Sequence, residues 1–504
     1  MRARPHPRTA AKLRPKRTCS TFSFTTDRRG RSSHTVDTRQ PSPTGRHMTT
    51  RGDAEKLVGL AKEYYVSGFG RGEDFYGRPG SIIESADGHY AIDIFGNRLL
   101  DTETCASACY LGFGRPEVMD ALKAEMARMP STTPLFVPTA PLLRLGEKLA
   151  SISPGNLKYS VFGANGTDAT EGGVKIARQY WKALGKSGKY KVLHRVPGDY
   201  HGMSLAMVSA SGHTFRRSPY EPLMTGFISF HAPYCYRCPF EKSLPDCRLL
   251  CARELERVIQ FEDPETISCV ITENTNTGLG IVTPPPGYMQ LIRDICTRHG
   301  VLLIADEIIT GLAKTGAWFE SEKEGFVPDI LCIGKAISAG CGALAVTHVS
   351  ESIGRVLVEC SNVHHGFTYG GLGYLAAAGL AGIAYVEEHG LLARAREIEQ
   401  IMVARFKSLA AQSRVVGDVR ATGAIQGIEM VMDKKTKARF ADPKAVASFV
   451  GAVGREHGVL LNCQFPHYGN IITMYLPLTI TNKELDLVYD SIEDAVRRVE
   501  KTYA

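Results

Sequence analysis

Residues 301–307 read VLLIADE, and this stretch decides the fold. Val301, Leu302, Leu303, Ile304 and Ala305 form an unbroken apolar run with no polar alternation. That is the pattern of a strand covered on both faces. The run delivers two carboxylates, Asp306 and Glu307, at its end. Working outward, short β-branched runs recur at 158–162, 191–194, 227–230, 268–272, 330–333 and 345–349. Helical stretches separate several of them, such as Ala169–Leu184 and Gly287–His299. Seven such runs alternating with helices predict an α/β fold with a mostly parallel seven-stranded sheet.

The flanks have a different texture. YAIDIFGNRLLD alternates and carries a Gly96-Asn97 turn, which predicts a small hairpin over 90–100. After about residue 370 come an Ala- and Gly-rich helix, 371–388, and a longer amphipathic helix to about Ala411. Alternating runs follow at 416–430 and 470–475. Thr481 and Glu484 form a T-x-x-E capping box, and Leu485, Val488, Ile492, Val496 and Val499 then share one helix face. These segments predict a small α/β domain built from 48–115 and 371–504, around a large domain at 116–370.

Composition excludes several classes. The net charge of +8 is local, since residues 1–47 hold 12 Arg or Lys against 2 Asp. The remainder is close to neutral, so no basic nucleic-acid-binding body is indicated. No run approaches the length of a membrane span. Residues 1–47 lack both an apolar signal core and any hydrophobic periodicity, and are expected to be a disordered basic extension. An organelle transit peptide and a start at Met48 remain alternatives. Most of the 13 cysteines are scattered among apolar residues, which suits a reducing cytoplasm. Cys235, Cys238, Cys247 and Cys251 cluster as C-x2-C-x8-C-x3-C. Four thiolates at this spacing can hold zinc, but no histidine follows and aromatics interleave, so free thiols in a packed loop are expected and no metal.

Three features fall at strand ends, where open α/β sheets bind their ligands. Asp306 ends one strand. Lys335, in DILCIGKA, ends another. In FGANGTDATE, Gly163, Gly166 and Thr167 precede a helix whose free amides suit a phosphate. A phosphate cradle, a strand-end acid and a strand-end lysine are together the parts of a pyridoxal 5'-phosphate site. No G-x-G-x-x-G opens the first long βα unit, which argues against a nicotinamide dehydrogenase. A regulator built on the same cofactor usually appends a DNA-binding domain, and the 47-residue arm is too short for one.

The chain resembles the class III aminotransferases of the fold-type I pyridoxal phosphate enzymes, from about Gly88 to Asp486. LLIADEIITGLAKTG, PDILCIGKAISAG, NGTDATEGGVKIAR and DYHGMSLAMVSASG are similar to the family's segments. The resemblance implies that Lys335, 29 residues after Asp306, holds the cofactor and moves protons. Asp306 binds the ring nitrogen, Ile308 packs on one ring face, and Tyr200 stacks on the other. Gly166 and Thr167 bind phosphate. Thr368 matches a threonine that reaches the phosphate of a neighbouring subunit, which implies a homodimer with shared active sites. Glu273 matches a strand-end glutamate near the site. Without the resemblance, Tyr200 and Thr368 read as an ordinary buried tyrosine and a loop hydroxyl, and Glu307 as structural, for instance a buried ion-pair partner.

The implied reaction moves an amino group between an amine or amino acid and an oxo acid or other carbonyl. The alternative is a lyase, decarboxylase, epimerase or aminomutase on the same fold. The departures from the pattern bear on substrate. Many relatives carry a carboxylate-gripping arginine where this chain has Thr473, and others where it has Asn462. Asn274, Ile309, Cys341 and Ala343 also replace the usual residues. Arg216, Arg217 and Arg420 are candidates to compensate, each with a surface salt bridge as its ordinary reading.

Overall fold

The computed structural model describes residues 49–68, 76–131, 137–360, 363–464 and 469–504. The chain divides into two units, Met1–His47 and Met48–Ala504. The expected basic extension lies outside the described residues. Everything below concerns the second unit.

An N-terminal meander comes first: β1 (Ile83–Asp87), β2 (Tyr90–Asp93) and β3 (Arg98–Asp101). The hairpin expected over 90–100 is there, with Ala91 opposite Leu99 and Gly96 in the left-handed region at φ 83°. Strand β1, whose residues are all exposed, had no apolar signal to announce it.

The seven apolar runs become the seven strands of one sheet. They are β4 (Leu157–Gly163), β5 (Lys191–Val196), β6 (Phe227–His231), β7 (Ile267–Glu273), β8 (Leu302–Asp306), β9 (Ile330–Ile333) and β10 (Ala345–Ser350), in the order β4-β10-β9-β8-β7-β5-β6. Only β10 runs against its neighbours. Successive residues of β7, β8 and β9 feed opposite faces. Val270, Leu303 and Leu331 join the core under the helices Leu250–Phe261 and Tyr288–Arg298. Ile271, Ile304 and Cys332 join the other, under the helix Gly166–Ala183. Both faces are dry, and this is why the runs are continuous rather than alternating.

Beyond the large sheet lie β11 (Val416–Thr422), β12 (Ile425–Met430), β13 (Val459–Leu460), β14 (Asn462–Gln464) and β15 (Asn470–Tyr475). Strand β13 pairs in parallel with β3, so residues near both ends of the unit share one four-stranded sheet. The order β11-β12-β15-β14 makes another.

The last helix, Asn482–Tyr503, starts at the expected capping box. Thr481 Oγ1 accepts from the Glu484 amide at 3.2 Å, and Glu484 Oε2 accepts from the Thr481 amide at 2.9 Å. The helix buries Leu485, Val488, Ile492, Val496 and Val499. Thr481→Ala leaves an amide uncapped and is expected to cost about 1 kcal/mol, read as a lower urea midpoint at unchanged m-value. Among the described residues no helix is long and apolar enough to cross a membrane.

Candidate active site

The carboxyl ends of the parallel strands carry the site. Strand β8 ends in Asp306 and β7 ends in Glu273, which lies opposite it in register. Lys335 follows the end of β9, and Tyr200 and His201 follow β5. Asn165, Gly166 and Thr167 sit where β4 hands over to the helix Gly166–Ala183. Asn165 caps that helix by accepting from the Asp168 amide at 3.1 Å. The helix dipole and the other free amides of the first turn are thus left for a ligand. One cavity of about 200 Å³ is lined by residues from all of these elements.

Lys335 enters the cavity from a left-handed backbone, φ 46°. That conformation costs a non-glycine residue roughly 1–2 kcal/mol and is held by the surrounding fold. Among the described residues its Nζ makes no hydrogen bond or ion pair. Burial pulls its pKa down to about 8, against the opposing pull of Asp306, Glu273, Cys105 and Glu103. At neutral pH the free-amine fraction therefore rises from about one in three thousand to about one in ten.

Asp306 is 5% exposed. Its Oδ1 accepts from the Ile308 amide at 3.1 Å, and its Oδ2 meets His201 Nδ1 at 2.7 Å. His201 is wholly buried, with Asp199 Oδ2 3.6 Å from its Nε2. Burial alone would lower the imidazole's pKa. The hydrogen bonds and charges of Asp199 and Asp306 overcome it and hold the ring protonated up to about 10. Asp199 is itself paired with Arg195 at 2.8 Å and accepts from Asn276 at 2.8 Å. A chain of alternating basic and acidic groups, Arg195, Asp199, His201 and Asp306, so leads into the cavity wall.

Glu273 Oε1 accepts from the Tyr200 amide at 3.0 Å, and Oε2 from the Thr277 amide at 2.9 Å. Burial pushes its carboxyl up to about 7. The Arg216 guanidinium lies 4.4 Å from the Tyr200 ring centre. Ile308 fills the space above Gly166, where an added Cβ would meet it at 3.0 Å. Gly202, at φ 123°, leaves the room that Thr167 occupies.

Seven of the eight expected site residues thus line one cavity: Gly166, Thr167, Tyr200, Glu273, Asp306, Ile308 and Lys335. Thr368 does not, and is exposed. Glu307 is structural, as expected, but through hydrogen bonds rather than an ion pair. It is buried and accepts from the Glu320 and Ser321 amides at 2.6 and 2.8 Å and from Asn274 at 3.1 Å. Those bonds also account for asparagine at 274. Arg420 is spoken for by Glu429 at 2.8 Å and Asp418 at 3.1 Å, inside the protein rather than on its surface. Reading the residues one at a time missed His201, Asp199 and Arg195. Within DYHG the sequence shows only Asp199 two residues before His201; the second acid, Asp306, meets the ring only in the fold. Cys235, Cys238, Cys247 and Cys251 line a separate pocket as free thiols. Among the described residues no three His, Cys, Asp or Glu side chains are grouped to hold a metal ion.

The cavity's fit to pyridoxal phosphate rests on this donor set. Helix amides suit a phosphate, a strand-end carboxylate suits a protonated ring nitrogen, and an unclaimed buried amine suits a carbonyl carbon. Known proteins agree. The family model for class III aminotransferases matches residues 76–496. The adenosylmethionine-8-amino-7-oxononanoate aminotransferase of Geobacter sulfurreducens is 33% identical over 83% of this chain and 92% of its own length. The taurine–pyruvate aminotransferase of Bilophila wadsworthia is 30% identical over 90% of this chain and 99% of its own. An amine transaminase from an uncultivated Pseudomonas species, solved with pyridoxal phosphate bound, superposes with a TM-score of 0.80 at 30% identity, over 86% of this chain and 99% of its own. A mostly parallel seven-stranded sheet with lysine, acid and phosphate cradle at its carboxyl edge is the fold-type I arrangement, and the chain belongs to the class III aminotransferase family and is an aminotransferase.

Proposed function

We propose that the chain binds pyridoxal 5'-phosphate in this cavity and transfers an amino group from an amine or amino acid to an oxo acid or other carbonyl acceptor. The observation that carries the reading is the convergence of Lys335, Asp306, Tyr200 and the amides of Gly166 and Thr167 on one space. When bound, the cofactor supplies an electron sink that stores the amino group between donor and acceptor. Lys335 Nζ would hold the cofactor covalently and, once free, would be the base that takes a proton from the donor carbon. The lowered lysine pKa keeps enough of that amine neutral to accept a proton near pH 7. Asp306, oriented by its hydrogen bond to His201, would accept a hydrogen bond from the ring nitrogen. Tyr200 and Ile308 would flank the ring, and Glu273 fixes the Tyr200 backbone.

Residues 48–115 with 371–504 form the small domain in this reading, and 116–370 the large one. The exposure of Thr368 supports a role toward a second copy of the chain, in a homodimer with shared sites. The protein works in the cytoplasm on small molecules, without nucleic acid.

An absorption titration of the purified 48–504 chain with amines tests the reaction. The band of lysine-bound cofactor should convert to that of the aminated cofactor, with carbonyl product released. A band that shifts without yielding the aminated form would instead favour a lyase, decarboxylase, epimerase or aminomutase. Sedimentation of the same sample at about twice the monomer mass supports the dimer.

A further inference from the structure

The two positions where the resemblance calls for a carboxylate-gripping arginine, Asn462 and Thr473, are directly opposite each other on β14 and β15. Both of their side chains turn to the same group. Asn462 Nδ2 donates to Glu103 Oε2 at 2.9 Å, and Thr473 Oγ1 donates to Glu103 Oε1 at 3.3 Å. Gln464 Nε2 donates to Thr473 Oγ1 at 3.2 Å, orienting that hydroxyl toward the carboxylate. A carboxylate thus stands where a cation is expected.

Glu103 is held rigidly. It follows β3, and its amide donates to Asp101 Oδ1 at 2.8 Å. Thr102 and Thr104 on either side donate to the carbonyls of Leu460 at 2.6 Å and Tyr475 at 2.7 Å. The carboxylate lies close enough to Lys335 for each charge to bear on the other. Its other charged or titratable neighbours are Asp101, which repels it, and the buried Tyr475, which also feels Glu273. Among the described residues no cation forms an ion pair with it. Two neutral donors hold it in place but supply no counter-charge, and burial raises its pKa to about 8. A carboxyl in that condition ionises more readily when a ligand brings the counter-charge.

We propose that Glu103, positioned by Asn462 and Thr473, is a specificity-determining residue that takes a cationic group at the far end of the amine donor, so that the preferred donors are diamines rather than amino acids. The inference rests on the aminotransferase reading and adds the substrate class to it. A charge-assisted hydrogen bond to a buried carboxylate is worth roughly ten- to a hundredfold in affinity. A distal carboxylate on the donor would be repelled by Glu103 and drawn toward Arg216, beside Tyr200.

The test uses the cofactor-loaded full chain with three donors of equal length: pentylamine, 1,5-diaminopentane and 5-aminopentanoate, with a saturating oxo acid. The diamine is expected to exceed both others in kcat/KM by about tenfold or more. Its advantage should widen as the pH rises through about 8, where burial, the largest influence, places the ionisation of donor-free Glu103. Glu103→Gln should collapse the ratio of diamine to monoamine, mainly through KM. Asn462→Arg, which supplies a built-in counter-charge, should collapse it too, and covers the case in which Glu103→Gln folds poorly. A preference for 5-aminopentanoate, or a diamine advantage that survives both substitutions, would overturn the proposal. If no donor at all converts the cofactor's absorption band, the aminotransferase reading fails and the proposal with it. Conversion by all three donors at similar efficiency removes Glu103's role alone.

Discussion

Lys335→Ala is expected to reduce turnover by at least about a thousandfold while leaving the fold intact. The argument begins with the backbone. Lys335 adopts φ 46°, outside the comfortable range of any residue with a Cβ, and alanine inherits that strain without adding to it. Removing the butylamine stem leaves space in a cavity already present, so the stability change should be small. The chemistry loses two services together. The nitrogen that holds the cofactor in place is gone, and so is the base that moves the proton. Burial had set that base near pH 8, with Asp306 and Glu273 opposing. The absorption of lysine-bound cofactor should therefore vanish while phosphate-dependent binding persists. Small soluble amines such as methylamine should restore part of the turnover, with efficiency rising with their basicity. A variant that keeps normal turnover would remove Lys335 from the mechanism.

The strands of the large sheet were legible because burial on both faces leaves a periodicity-free apolar signature, and each of the seven runs proved to be one strand within a few residues. The lysine and the acid were legible because a charged residue ending such a run is costly and therefore conspicuous. Order and spacing then added the phosphate turn. What the sequence did not reveal lies in long-range pairing. Strand β1 is exposed throughout and has no hydrophobic mark. His201 lies 105 residues from Asp306, so its hydrogen bond is invisible until β5 and β8 are laid in the same sheet. Glu103 lies 359 residues from Asn462, and their contact depends on β13 pairing with β3 across the two ends of the unit. The departures at 462 and 473 were visible as losses of arginine. That both serve one carboxylate emerges only from the register of β14 on β15.

His201→Leu is expected to affect activity and stability with one pH signature. In the native protein the imidazolium is clamped between Asp306 Oδ2 at 2.7 Å and Asp199 Oδ2 at 3.6 Å, with Arg195 behind Asp199 and His194 also bearing on it. Burial opposes the charge, yet the two carboxylates raise the histidine's pKa to about 10 from an unfolded value near 6.5. The sign follows from linkage. A base whose folded pKa is raised contributes stability that is complete below the unfolded value and is lost as the pH climbs through the folded one. The contribution is on the order of 5 kcal/mol, and it drains away between about pH 6.5 and 10. Leucine removes that slope, so urea midpoints of wild type and variant should converge as the pH rises. It also leaves Asp306 buried with one partner, the Ile308 amide, so the carboxylate loses the contact that orients it toward the ring nitrogen. Turnover should fall by about tenfold or more, with KM for the donor changing less, because His201 acts through Asp306. His201→Gln, which can still donate to Asp306 without carrying charge, separates the two effects. It should recover part of the turnover but none of the pH-dependent stability. Equal pH slopes in wild type and His201→Leu would show that the imidazole is neutral in the folded protein.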